Sequence, residues 1–166
     1  GTTVGTATAT AGGAWSFTIT STLSAGTHAI TTSHDDGTTD AGPSSALNIV
    51  IDSTAPTAIG APDLLAASDL VISSTDNITS SATQQLSGSA TTGDIVSILV
   101  GGVTVNNVTA AGNSWSYTHT LANGSYAITV QASDTAGNAS TASAALGLTV
   151  DTVAPATAGT PDLLAS

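Results

Sequence analysis

Ser125-Tyr-Ala-Ile-Thr-Val-Gln-Ala132 places Tyr126, Ile128, Val130 and Ala132 at every second position, with Ser125, Ala127, Thr129 and Gln131 between them. Strict alternation is the signature of a strand with one face on a core and one in water. The same pattern appears upstream, where Trp115, Tyr117 and His119 alternate. Further strand signals lie at Pro62–Ala67, Gln85–Ala90, Ile95–Val100, Val103–Val108 and Leu146-Leu148-Val150. Clusters of Gly, Asn, Asp and Ser separate them, as turns require.

Composition agrees with this reading. Ser and Thr make up about a third of the 166 residues, and hydrophobic residues 40%. There is no Glu, Lys, Arg or Met, and Gln occurs only at 84, 85 and 131, so strong helix formers other than Ala and Leu are scarce. The expected fold is all-β. Seven short strands in about a hundred residues describe an immunoglobulin-like β-sandwich.

The chain also repeats itself. Ala11-Gly-Gly-Ala-Trp15-Ser-Phe-Thr18 matches Ala111-Gly-Asn-Ser-Trp115-Ser-Tyr-Thr118, and Leu23-Ser-Ala-Gly-Thr-His-Ala-Ile30 matches Leu121-Ala-Asn-Gly-Ser-Tyr-Ala-Ile128. Leu47-Asn-Ile-Val-Ile-Asp52-Ser-Thr-Ala-Pro56 matches Leu146-Gly-Leu-Thr-Val-Asp151-Thr-Val-Ala-Pro155, and Pro62-Asp-Leu-Leu-Ala66 matches Pro161-Asp-Leu-Leu-Ala165. The expected map is therefore tandem. Residues 1–53 are the C-terminal half of one repeat, 54–152 a complete repeat, and 153–166 the start of a third. On this map the chain is a window on a longer array.

All eleven formally charged side chains are Asp, which gives a net charge of −11 with His neutral. No carboxylate has a Lys or Arg to pair with, so a cation from solution must neutralise any cluster. Hard carboxylate oxygens suit Ca²⁺. Three motifs recur or stand out. Asp134-Thr-Ala-Gly-Asn138 follows the sixth strand and corresponds to Asp36-Gly-Thr-Thr-Asp40. Asp52 and Asp151 each end the last strand, just before Ala-Pro. Asp69, Asp76 and Asn77 lie in the polar loop after the first strand. Taken singly, each motif is also what an Asx turn or a solubilising charge looks like. Sandwich topology groups them. Asp134 and Asn138 belong at the entry pole with Asp52, and Asp69, Asp76 and Asn77 at the exit pole with Asp151. Carboxylates converging at a junction repel unless a cation bridges them, so the expected ligand is Ca²⁺.

The same composition excludes other classes. A chain without a basic residue has no footprint for nucleic acid and no attraction to an anionic membrane. No apolar run has membrane-spanning length, which argues against direct membrane insertion. Absent Cys removes disulfides and thiolate metal sites. No nucleophile–base pair accompanies an anion-stabilising cation, so an enzyme is not expected. Ser33-His34-Asp35 holds triad residue types, but adjacent strand residues point to opposite faces and cannot form a relay.

Gly112-Asn-Ser-Trp115-Ser-Tyr117, Leu121-Ala-Asn-Gly-Ser-Tyr-Ala-Ile128, Asp134-Thr-Ala-Gly-Asn138 and Val150-Asp151-Thr-Val-Ala-Pro155 together resemble bacterial immunoglobulin-like repeats. Specifically, they resemble the extender domains of giant repeats-in-toxin (RTX) and biofilm-associated adhesins. The resemblance implies tandem sandwiches with calcium-bridged linkers, type I secretion to the extracellular bacterial cell surface, and a part in cell adhesion. Leu70-Val71 stands where that family often has Thr-Gly, and Asp36-Gly-Thr-Thr-Asp40 departs from its Ala-Gly-Asn ending.

The expected function is a structural spacer stiffened by Ca²⁺, with neighbouring repeats of the same chain as its partners. Two other readings stand beside it. One is a subunit that self-associates into an extracellular filament or surface layer. The other is a carbohydrate-binding accessory module of a secreted enzyme, disfavoured by only 3% aromatic residues. Trp15 and Trp115 share a repeat position and are expected in the core, and His28 is expected to fill the slot of Tyr126.

Overall fold

A computed structural model describes residues 2–69, 73 and 75–160. Leu70 and Val71, and Pro161 to Ser166 of the segment expected to start a third repeat, lie outside the described residues. The chain divides into two compact units after Ser53. Both are all-β, with no helix among the described residues.

The first unit holds four short strands: β1 (Gly26–Ile30), β2 (His34–Asp35), β3 (Asp40–Ala41) and β4 (Leu47–Ile51). β1 and β4 form an antiparallel ladder from Gly26↔Ile51 to Ile30↔Leu47, and β2 and β3 form a second two-stranded pair.

The second unit is a complete sandwich. Its strands are β5 (Asp63–Leu64), β6 (Ile78–Thr79), β7 (Thr83–Ser89), β8 (Ile95–Val100), β9 (Val103–Thr109), β10 (Ser114–Thr120), β11 (Gly124–Ser133) and β12 (Leu146–Val150). One sheet has the order β10-β7-β5, the other β6-β12-β11-β8-β9. All pairs are antiparallel except β12 with β6. The inner faces carry the alternating apolar residues. Leu86, Val96, Ile98, Ile128 and Val130 are fully buried, and Trp115 closes the layer between the sheets.

Seven strands were expected here, and eight form. The extra one is β6, a two-residue strand hidden in a polar loop. It exists because Thr149 N donates to Asn77 O at 3.0 Å and Asp151 N to Thr79 O at 2.9 Å, which no local pattern announces.

A tyrosine corner marks the start of β11. The Tyr126 hydroxyl donates to Ala122 O at 2.9 Å, as immunoglobulin-like sandwiches do at this position. His28 takes the same place in the first unit, with Nε2 at 2.8 Å from Ser24 O.

Trp15 is a correction. Expected in the core, it is 55% exposed, whereas Trp115 is 4% exposed. The reason is the partner strand. Trp115 sits on β10, which pairs with β7. Residues 14–20 align with β10, but among the described residues they form no strand.

Candidate functional site

The exit pole of the complete sandwich gathers the polar loop after β5 and the end of β12. The parallel register Thr149↔Ile78 and Val150↔Thr79 levels Asp151 with Ser80, three to four residues along the ladder from Asn77 and Asp76, so Asp151 is not brought beside them as the sequence led one to expect. Asn77 turns the chain with φ 58°, a left-handed conformation that Asn tolerates. Its backbone N–H donates to Asp69 Oδ2 at 3.4 Å.

Asp69 is the unusual residue of this pole. Its side chain is 1% exposed, and its Oδ1 is buried with no hydrogen-bond partner. No Lys or Arg exists in the chain to compensate it. A buried unpaired acceptor costs about 1–3 kcal/mol, more when charged. Gln84, near the start of β7, presents the same feature. It is fully buried, its Nε2 donates to Ser81 O, and its Oε1 is buried without a partner. Gln84 was not among the residues the sequence singled out, because its position on an alternating strand reads as ordinary patterning. Asp76 and Asp151 lie on the surface and organise their own turns, Oδ1 accepting from Ile78 N at 3.1 Å and from Val153 N at 3.0 Å respectively.

The loop after β11 is closed on itself. Asp134 Oδ1 accepts from Ala136 N and Asn138 N, both at 2.9 Å, and Oδ2 accepts from Asn138 Nδ2 at 2.9 Å. Gly137, at φ 90°, lets the backbone turn back so that Asp134 N reaches Asn138 O at 3.1 Å. These donors, the Asn138 side chain foremost, hold the Asp134 carboxyl below its ordinary range. In the first unit Asp36 is held further below that range, chiefly by the Thr38 hydroxyl at 2.7 Å and then by the Thr39 and Thr38 amides at 2.9 Å. Asp40 faces Asp35 across the β2–β3 pair, and Asp52 follows β4 on the exposed surface.

No three His or Asp side chains among the described residues come close enough together to hold a metal ion by themselves. The donor set at the exit pole is nonetheless all oxygen, with one buried carboxylate oxygen unmatched, which is the chemistry a hard cation takes.

Residues 56–152, more than half of the chain, match the family description "Bacterial Ig-like domain". The chain belongs to this family. None of the curated proteins compared with the chain matches it. Bacterial Ig-like domains are structural modules, usually of extracellular or surface proteins, and typically not enzymes. Among the described residues no helix is long and apolar enough to cross a membrane.

Proposed function

We propose that this bacterial Ig-like chain is an extender segment of a secreted surface adhesin of the RTX or biofilm-associated kind, stiffened by Ca²⁺ at the ends of its sandwiches. The observation that carries the metal is Asp69: a buried carboxylate with an unmatched oxygen, in a chain without Lys or Arg. The tandem repeat and the family membership support the spacer role, each sandwich adding roughly 30–40 Å of reach for strands of this length.

Asp69, with Asn77 bonded to it and Asp76 next in the chain, would hold the cation in the loop after β5, and Asp151 is a separate candidate after β12. Asp134 and Asn138 are the candidates on the loop after β11, Asp36 and Asp40 their counterparts in the first unit, and Asp52 a further candidate after β4. When bound, Ca²⁺ supplies positive charge that relieves carboxylate repulsion. Asp69 gains the partner its buried Oδ1 lacks, and Asn77 holds the loop in register through its amide. Extracellular modules of this sort bind Ca²⁺ with Kd of about 10⁻⁴–10⁻³ M. At ten to a hundred times Kd one site adds about 1.4–2.7 kcal/mol.

Thermal melting and small-angle scattering in EDTA, then in millimolar Ca²⁺, test this reading. A rise in Tm and in maximum dimension with Ca²⁺ is expected. Identical curves in the two buffers would remove calcium from the proposal.

A further inference from the structure

Two oxygens are stranded in the interior of the complete sandwich. Asp69 Oδ1 and Gln84 Oε1 are buried without a hydrogen-bond partner, on side chains that are 1% and 0% exposed. The other end of the Gln84 amide is committed, since Nε2 donates to Ser81 O. Turning the amide over would set its oxygen against a carbonyl oxygen, so Oε1 stays an acceptor. The other stranded atom among the described residues, Trp115 Nε1, is a donor and lies over Gly88, further along β7.

The backbone brings both oxygens to the first residues of β7. β5 pairs with β7 as far as Leu64↔Leu86, and Leu65 N continues the pairing to Gln85 O at 2.9 Å. The chain then turns, with Asp69 N bonded to Ala66 O at 3.2 Å, and Ser68 Oγ accepts from Gln85 N at 3.1 Å. Asp69 follows one member of that last bond, and Gln84 precedes the other. Gln84 shares the inward face of β7 with Leu86, because both alternate with exposed Thr83 and Gln85. The segment 77–81 holds both side chains from its own side. Asn77 N donates to Asp69 Oδ2 at 3.4 Å, Thr79 Oγ1 accepts from Ser81 N at 3.0 Å, and Ser81 O takes the Gln84 amide.

We propose that Gln84 Oε1 and Asp69 Oδ1 ligate one and the same Ca²⁺, so that the cation ties the loop after β5 to the start of β7. The assignment rests on calcium binding at Asp69, as proposed above, and adds a ligand from the sheet itself. Two acceptors cannot satisfy each other, so their shared partner is a donor or a cation, and an anion is excluded. A neutral donor would leave the buried carboxylate without a compensating charge, since the chain has no Lys or Arg. Ca²⁺ takes carboxylate and Gln amide oxygens alike. Gln84 contributes an oxygen without adding charge, which keeps the affinity in the weak range of extracellular modules.

Calcium titrations of the full chain, of Gln84→Leu and of Gln84→Glu, read by calorimetry and by Tm, test the assignment. Each variant is compared with itself in EDTA, so that the lost bond to Ser81 O cancels. Gln84→Leu should weaken Ca²⁺ binding about tenfold or more and lose most of the rise in Tm on adding Ca²⁺. Gln84→Glu offers a carboxylate at the same place, so it should bind Ca²⁺ more tightly than the parent and gain more in Tm. In the parent, exchange of the Gln85 amide should slow when Ca²⁺ is added, a readout that stands even where a variant fails to fold. Variants that bind Ca²⁺ as the parent does, or a Gln85 amide indifferent to it, would overturn the role of Gln84 and leave calcium at Asp69 standing. A parent that binds no Ca²⁺ would remove both. A crystal structure in millimolar Ca²⁺ with only a water between the two oxygens would also overturn the assignment.

Discussion

A Cβ built on Gly88 would lie 2.8 Å from the Trp115 Nε1 and 3.0 Å from two carbons of the indole ring. The two residues face each other across the β7–β10 ladder. The glycine is what lets the indole lie flat over β7 and close the core, and Trp115 Nε1 is buried there without a partner. Gly88→Ala should therefore destabilise the complete sandwich by about 1–3 kcal/mol, as overpacking does. Denaturant unfolding followed by circular dichroism measures it. Trp115→Phe, which removes the crowded atoms, should recover part of the loss in the double variant.

Asp69 should act differently in the two buffers. In EDTA, Asp69→Asn removes a carboxylate from a buried site that no Lys or Arg compensates and should not lower the Tm. In millimolar Ca²⁺ the same variant gains nothing from the metal and melts below the parent. Differential scanning calorimetry in both buffers reads the contrast. A variant that responds to Ca²⁺ as the parent does would place the metal elsewhere.

The Asp134 loop predicts an acid response. Its folded pKa is depressed, so its contribution is present above the unfolded carboxylate value near 3.9 and is lost as pH falls through the lower folded value. Amide exchange at Ala136 and Asn138 should accelerate over that window, while the β11 amides stay protected. Asn138→Ala removes the largest of the depressing hydrogen bonds, so the Asp134 titration read by NMR should move up toward the ordinary range.

The tyrosine corner is separable from the packing of its ring. Tyr126→Phe keeps the ring and removes the hydrogen bond to Ala122 O, so urea unfolding should show a loss of about 0.5–1.5 kcal/mol. The slope of the unfolding line should not change, because the surface exposed on unfolding is the same.

Much of this protein was legible from local pattern. Ile95–Val100 and Leu146–Val150 begin and end as the alternation indicates. The others differ from their expected bounds by a few residues at most, except β5. Only Asp63–Leu64 of the expected Pro62–Ala67 pairs, because the chain turns away at 65–69 with Ser68 N and Asp69 N bonded to Leu65 O and Ala66 O. Of the candidate site, Asp69 was named as one polar loop residue among several. Its burial, and the approach of the Asn77 amide to it from eight residues away, are tertiary facts that its place in a polar loop does not announce.

The amino-acid sequence by itself determined where the alternating apolar segments of the complete sandwich lie and that every formally charged side chain is acidic. Those are properties of spacing and composition, and they hold wherever the segment is placed. Tertiary structure decided which of those segments become strands. Ser114–Thr120 is a strand and residues 14–20 are not, though Trp-Ser-aromatic-Thr runs through both. A strand's hydrogen bonds are satisfied by another strand, not within itself. Trp115 is buried because β7 lies beside it, and Trp15 is exposed because among the described residues no strand does.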